Sequence, residues 1–73
     1  MDGTGITNCI RHLRFHQDEM TQQELADKID ATRQTVHAIE AAKYAPSLEL
    51  AFRIARAFDR RIEDVFTYGM AAD

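Results

Sequence analysis

A chain of 73 residues, 45% hydrophobic and 29% charged, holds one small domain with a modest core. A single cysteine, Cys9, excludes an internal disulfide, and no run reaches the roughly 18 apolar residues of a membrane span. With no signal-like segment, the expectation is a cytoplasmic protein. The net charge of −3 opposes nucleic acid as a partner until it is divided along the chain. Residues 1–31 carry three basic and six acidic side chains, residues 32–61 carry six and three, and residues 62–73 none and three. Duplex affinity follows the local field at the docking face, so the basic middle permits DNA while the negative total predicts weak non-specific binding.

Residues 1–6, MDGTGI, read as a loosely held start. A first helix is expected from Thr7 or Asn8 to His16, with Ile10 and Leu13 spaced for burial. The second has the clearest start. Thr21 followed by Glu24 is a capping box, in which hydroxyl and carboxylate satisfy two backbone donors reciprocally. Met20 and Leu25 are placed for a hydrophobic staple, and Leu25, Ala26 and Ile29 form the inward face. Three residues later Thr32 caps a third helix, Arg33 to about Ala41, with Val36 and Ile39 inward. Tyr44-Ala45-Pro46 interrupts it, because the residue before proline is pushed out of the α region. Ser47 caps a fourth helix, Leu48 to Phe58, whose inward set is Leu50, Ala51, Ile54, Ala55 and Phe58. A short fifth helix covers Ile62 to Phe66. No strand is expected. The fold class is all-α, a compact bundle of five short helices over residues 7–67, with residues 68–73 as a tail.

Helices 2 and 3, joined by a short turn, have helix-turn-helix spacing, which presents the second helix to a DNA major groove. In that geometry Gln22 at the head of helix 2 meets a phosphate. Arg33 suits guanine O6 and N7, and Gln34 suits adenine N6 and N7. Thr32 and Thr35 reach phosphate or base, while His37 and Ala38 lie one turn further along. The same residues also suit a helical module that binds protein, with Thr32 a plain cap and Arg33 and Gln34 solvated surface.

Beyond the spacing, the run "MTQQELADKIDATRQTVHAIEAAKYAPSLELAFRIARAF", Met20 to Phe58, resembles the small helix-turn-helix regulators of the phage Cro and repressor type, the XRE family. The resemblance extends to "NCIRHLR" at Asn8–Arg14 and "IEDVF" at Ile62–Phe66. It implies a lambda-repressor-like domain with a double-stranded DNA operator as partner. It assigns Gln22 to a phosphate, Thr32 to Thr35 to the opening of the recognition helix, and Arg33, Gln34 and Ala38 to base edges. Lys43 and Tyr44 match the family's backbone-contacting loop, and Arg14 with Glu40 its semi-buried ion pair. The resemblance also implies a homodimer and a function in transcription control, as a repressor or an activator. The rival reading, of a different class, is an antitoxin-like protein that binds a partner protein as well as its own promoter.

Departures from the family pattern concern turns. Asp18, Asp30, Ala42 and Asp59 stand where glycine is usual, at positions that favour a left-handed backbone. Aspartate tolerates that conformation better than most residues. For Ala42 two readings remain open: φ > 0 with strain, or a third helix that continues through it.

Other chemistry is not expected. His12 and His16 share a helix face but lack a third ligand, so no metal site is assigned. Nothing suggests a cofactor, a small-molecule ligand, a membrane partner or a catalytic arrangement, and the chain does not read as an enzyme. Phe52, at the margin of helix 4, either packs against helix 1 or the tail, or joins Phe66, Tyr68 and Met70 in a dimer contact.

Overall fold

The computed structural model describes residues 5–69, in the order β1 (Ile6–Asn8), α1 (Ile10–Phe15), α2 (Gln22–Ile29), α3 (Arg33–Glu40), α4 (Leu48–Ala57), α5 (Ile62–Val65) and β2 (Phe66–Tyr68). Short polar side chains set three of the helix starts. Thr21 Oγ1 accepts from the Glu24 N–H at 3.0 Å, while Glu24 Oε1 accepts from the Thr21 N–H at 2.8 Å, completing the capping box. Thr32 accepts from the Thr35 N–H at 3.1 Å and Ser47 from the Leu50 N–H at 3.1 Å. Each such cap contributes about 1 kcal/mol.

The expectation that no strand would form is corrected. Residues 6–8 pair antiparallel with residues 66–68, in the register Ile6↔Tyr68, Thr7↔Thr67 and Asn8↔Phe66. This pairing takes residues expected to open the first helix, so α1 begins at Ile10. Asn8 acts at both ends of the junction. Its Oδ1 accepts from the Ile10 N–H at 3.1 Å, and its Nδ2 donates to the Ile39 carbonyl at 2.9 Å. The Cys9 N–H donates to the Val65 carbonyl, so the sheet also ties α1 to α5. Ile6 and Tyr68, left to the two end segments by the sequence, are part of this pairing.

Left-handed residues end the helices. Asp18, Glu19, Asp30, Ala42 and Asp59 have φ between 53° and 60°. Of these, Glu19 was not foreseen. Ala42, at φ 60°, decides between its two readings: α3 stops at Glu40, and the Ala42 and Lys43 N–H groups return to the carbonyls of Ile39 and Ala38. That pair of bonds is a Schellman motif with alanine in the glycine position.

The core is filled by the inward stripes. Ile10, Leu25, Ile29, Val36, Ile39, Ile54 and Val65 are fully buried, and Met20, Ala26, Ala51, Ala55 and Phe58 surround them. Leu13 and Leu50 pack against its edge. At roughly 1.5–3 kcal/mol for each large apolar side chain buried, this cluster is the main force holding α2, α3 and α4 together.

Candidate nucleic-acid interface

The turn between α2 and α3 consists of Asp30, Ala31 and Thr32, with Asp30 left-handed at φ 59°. The Ala31 N–H bonds back to the Ala26 carbonyl at 2.9 Å, so the turn is closed and α3 leaves it in a fixed direction. Val36 and Ile39, each 1% exposed, seat one face of α3 in the core. The opposite face is presented to solvent: Arg33, Gln34 and His37 are exposed. Together with Gln22 these three side chains line a shallow groove. Thr32 and Thr35 share a hydroxyl contact of 2.9 Å, and Thr35 and Ala38 are half-buried. Lys43 and Tyr44 follow the left-handed Ala42 and are exposed beside the foot of α3.

Under this surface lies an ion pair. Arg14 Nε donates to Glu40 Oε2 at 2.6 Å and Arg14 Nη2 to Glu40 Oε1 at 3.0 Å, with side chains 14% and 9% exposed. Nη1 donates to the Met20 carbonyl at 2.7 Å, so the guanidinium also braces the entry to α2. Gln22 joins the same group. Its Nε2 donates to Glu40 Oε1 at 3.2 Å and lies 3.5 Å from His37 Nδ1. The head of α2, the tail of α3 and α1 therefore meet at one carboxylate.

Part of the positive charge is held in ion pairs. Arg53 is paired with Glu49, and Arg61 with Glu63 and Asp64. The Arg61 side-chain hydrogen bond holds the Asp64 carboxyl below its ordinary value, and the same contact raises Arg61. Among the described residues no carboxylate lies within ion-pair distance of Arg11, Arg33 or Lys43, and the same holds for Lys28, Arg56 and Arg60 away from α3. Arg11 was missed by sequence reasoning. It lines a cleft with Arg33, Gln22 and His37, and its signal was the spacing of three from Arg14 on α1.

The remaining expected contacts separate. Phe52 is 52% exposed and its neighbour one turn earlier, Leu48, is 72% exposed. Tyr68 is 83% exposed, whereas Phe66 packs against the core. Met70 lies outside the described residues. The rings of His12 and His16 stand 4.3 Å apart, and no group of three metal-ligating side chains occurs among the described residues. No helix among them is long and apolar enough to cross a membrane.

Residues 11–65 match the helix-turn-helix family model. An uncharacterized HTH-type transcriptional regulator of Methanocaldococcus jannaschii is 55% identical over 63 residues, covering 86% of this chain and 94% of its own. The uncharacterized HTH-type transcriptional regulator YgzD of Bacillus subtilis is 50% identical over 61 residues, covering 84% and 91%. A crystal structure from Bacteroides fragilis superposes with a TM-score of 0.72 at 18% identity, covering 85% of this chain and 98% of that one, which establishes likeness of fold. The match to the family model and the two close relatives agree with the turn and the anchored third helix: the chain belongs to the helix-turn-helix family, in its phage Cro and repressor (XRE) group.

Proposed function

We propose that this protein is a sequence-specific regulator of transcription that binds double-stranded DNA by inserting α3 into the major groove. The observation that carries this reading is the division of α3 into two faces. Val36 and Ile39 fix the helix, while Arg33 and Gln34 stand exposed at its N-terminal end, where base edges are met first. The names of the close relatives support the same reading. Arg33 reads guanine and Gln34 adenine, with His37 and the half-buried Thr35 and Ala38 limiting which bases fit. Lys43, Tyr44 and the Thr32 hydroxyl follow the phosphate backbone. Gln22 takes a phosphate by exchanging its contact with His37 for the ligand. The protein acts as a homodimer and represses by occupying a promoter site.

Selection from a randomised duplex pool tests this. Wild type should enrich one motif, and Arg33→Ala and Gln34→Ala should each relax preference at particular positions by about 1–3 kcal/mol. Lys43→Ala should weaken all duplexes about equally. A wild type that enriches no motif at low salt overturns the reading.

A further inference from the structure

We infer that His37 is a proton-controlled latch on Gln22: the neutral ring holds the Gln22 amide back, and proton uptake releases it to a DNA phosphate, so that affinity rises as pH falls. This rests on the DNA-binding reading above. Glu40 sets the geometry. Its carboxylate can only accept, so the Gln22 side chain turns its NH2 toward Glu40 Oε1, at 3.2 Å. The same Nε2 carries a second hydrogen and lies 3.5 Å from His37 Nδ1. A ring nitrogen that faces a donor is the acceptor, which leaves the proton of the neutral imidazole on Nε2.

Adding a proton to Nδ1 sets two donors against each other. Turning the amide over gives no relief, because its carbonyl oxygen would then face Glu40 Oε1, another acceptor. Nor can the imidazolium join the carboxylate without cost to Gln22. Oε1 already accepts from Arg14 Nη2 at 3.0 Å and from Gln22, and Oε2 from Arg14 Nε at 2.6 Å. A charged ring that swings away frees one amide N–H, and one that displaces Gln22 from Oε1 frees both. The groove beside Gln34, which Gln22, Arg33 and His37 also line, is where that donor is released. The charged groups facing the ring are Arg33 and Glu40 on α3 and Arg11 and Arg14 on α1, while α2 contributes the uncharged Gln22. Three guanidinium groups against one carboxylate repel a further positive charge, and a phosphate brought into the groove offsets that repulsion. Protonation and DNA binding therefore favour each other. The complex takes up a proton, and affinity rises as pH falls through the histidine range of about pH 5 to 8.

The test follows duplex affinity and the free protein over one pH series. Wild type should bind its enriched duplex about fivefold to tenfold more tightly at the acid end of the histidine range than at the alkaline end, near 0.1 M salt. Its slope of log affinity against log salt should steepen by about one, as one added charge requires. His37→Gln, which cannot take up the proton, should lose most of this response. His16 lines neither the cleft nor the groove, so His16→Gln serves as the control and should keep it. In NMR spectra of the free protein, the His37 ring nitrogens should place the neutral proton on Nε2. The Gln22 side-chain amide should shift with the same midpoint as the ring, and His37→Gln should abolish that shift. Affinity that does not change with pH, or a pH response that survives in His37→Gln, overturns the inference while leaving the reading of α3 intact. So does a neutral proton on Nδ1, or a Gln22 amide indifferent to the His37 titration, since the pH response is then added charge alone. A wild type that binds no duplex at any pH overturns both readings.

Discussion

Arg14 and Glu40, 26 positions apart in the chain, form a two-point ion pair in which Nε lies 2.6 Å and Nη2 3.0 Å from the two carboxylate oxygens. With side chains only 14% and 9% exposed, water does little to screen it. Truncating Glu40 leaves the guanidinium short of a counter-charge and releases Gln22 from its acceptor. Glu40→Ala should therefore cost about 3–5 kcal/mol. A domain of this size has a total stability of roughly 4–11 kcal/mol, so the variant should lie close to unfolding at 37 °C. Replacing both partners with apolar side chains, Arg14→Met with Glu40→Leu, should recover much of the loss, since no charge is then stranded. Urea denaturation of the single and double variants measures this, and equal destabilisation by both would contradict it.

Ala42 ends α3 at φ 60°, a conformation in which a Cβ approaches the following carbonyl oxygen. Glycine carries no such penalty, although it loses more backbone entropy on folding. The balance favours Ala42→Gly by about 0.5–1 kcal/mol, which for a domain of this length raises Tm by roughly 2–8 °C. Asp30→Gly, at φ 59°, should gain less, because aspartate already tolerates the left-handed region. Calorimetry on the two variants checks both the sign and the order.

The starts of α2, α3 and α4 were legible because each is written in adjacent residues: Thr21 with Glu24, Thr32 with Thr35, Ser47 ahead of Leu48. The inward stripes were legible for the same local reason. The small sheet was not. Ile6-Thr7-Asn8 and Phe66-Thr67-Tyr68 are three residues each, too short for an alternation to show, and they meet across about sixty positions. Asn8 reads as a helix start in isolation and becomes a strand end only when Phe66 arrives opposite it. Gln22 shows the same limit at the candidate site. Its place at the head of α2 was plain, but its hold on Glu40 and its approach to His37 depend on how α2 packs against α3. Arg11 escaped notice because an unpaired arginine on a helix resembles any solvated charge until the cleft it lines is seen.

Thr32 serves the fold and faces the proposed phosphate at once, and one substitution separates the two roles. Aspartate caps a helix at least as well as threonine, and a negative charge at the N-terminus of α3 is favourable. Thr32→Asp should leave the thermal midpoint within a few degrees of wild type while weakening DNA binding by repulsion from the backbone. Thr32→Ala should do the reverse to stability, costing about 1 kcal/mol with the loss of the bond to the Thr35 N–H. If Thr32→Asp binds DNA as tightly as wild type, the head of α3 does not meet the phosphate strand.

The start of α5 carries an acid-sensitive contact. Asp64 accepts from the Arg61 side chain at 3.4 Å and from the Arg61 N–H at 3.2 Å, and its carboxyl is held below the usual aspartate value chiefly by the side-chain bond. A carboxylate whose pKa is depressed on folding contributes stability above its unfolded value and loses it as pH falls through the folded one. The α5 cap should thus survive below the ordinary titration range of aspartate. Carboxyl carbon shifts followed by NMR should place the Asp64 midpoint below that of an Arg61→Ala variant. Coincident midpoints would show that the arginine has no such effect.

Phe52 and Leu48, exposed one turn apart on α4, give the domain an apolar surface. A two-fold dimer built on this surface must set its two copies of α3 about 34–36 Å apart to match half-sites one DNA turn apart. A stable interface needs roughly 1,200–2,000 Å² in total, with an apolar centre free of unpaired charge. Phe52→Asp places a carboxylate on that surface and should convert the dimer to monomer in sedimentation. It should leave contacts with a single half-site intact while lowering affinity for the two-site operator by more than tenfold, because the second half-site no longer binds intramolecularly. A Phe52→Asp protein that still sediments as a dimer moves the interface elsewhere, and a wild type that stays monomeric on DNA removes the dimer altogether.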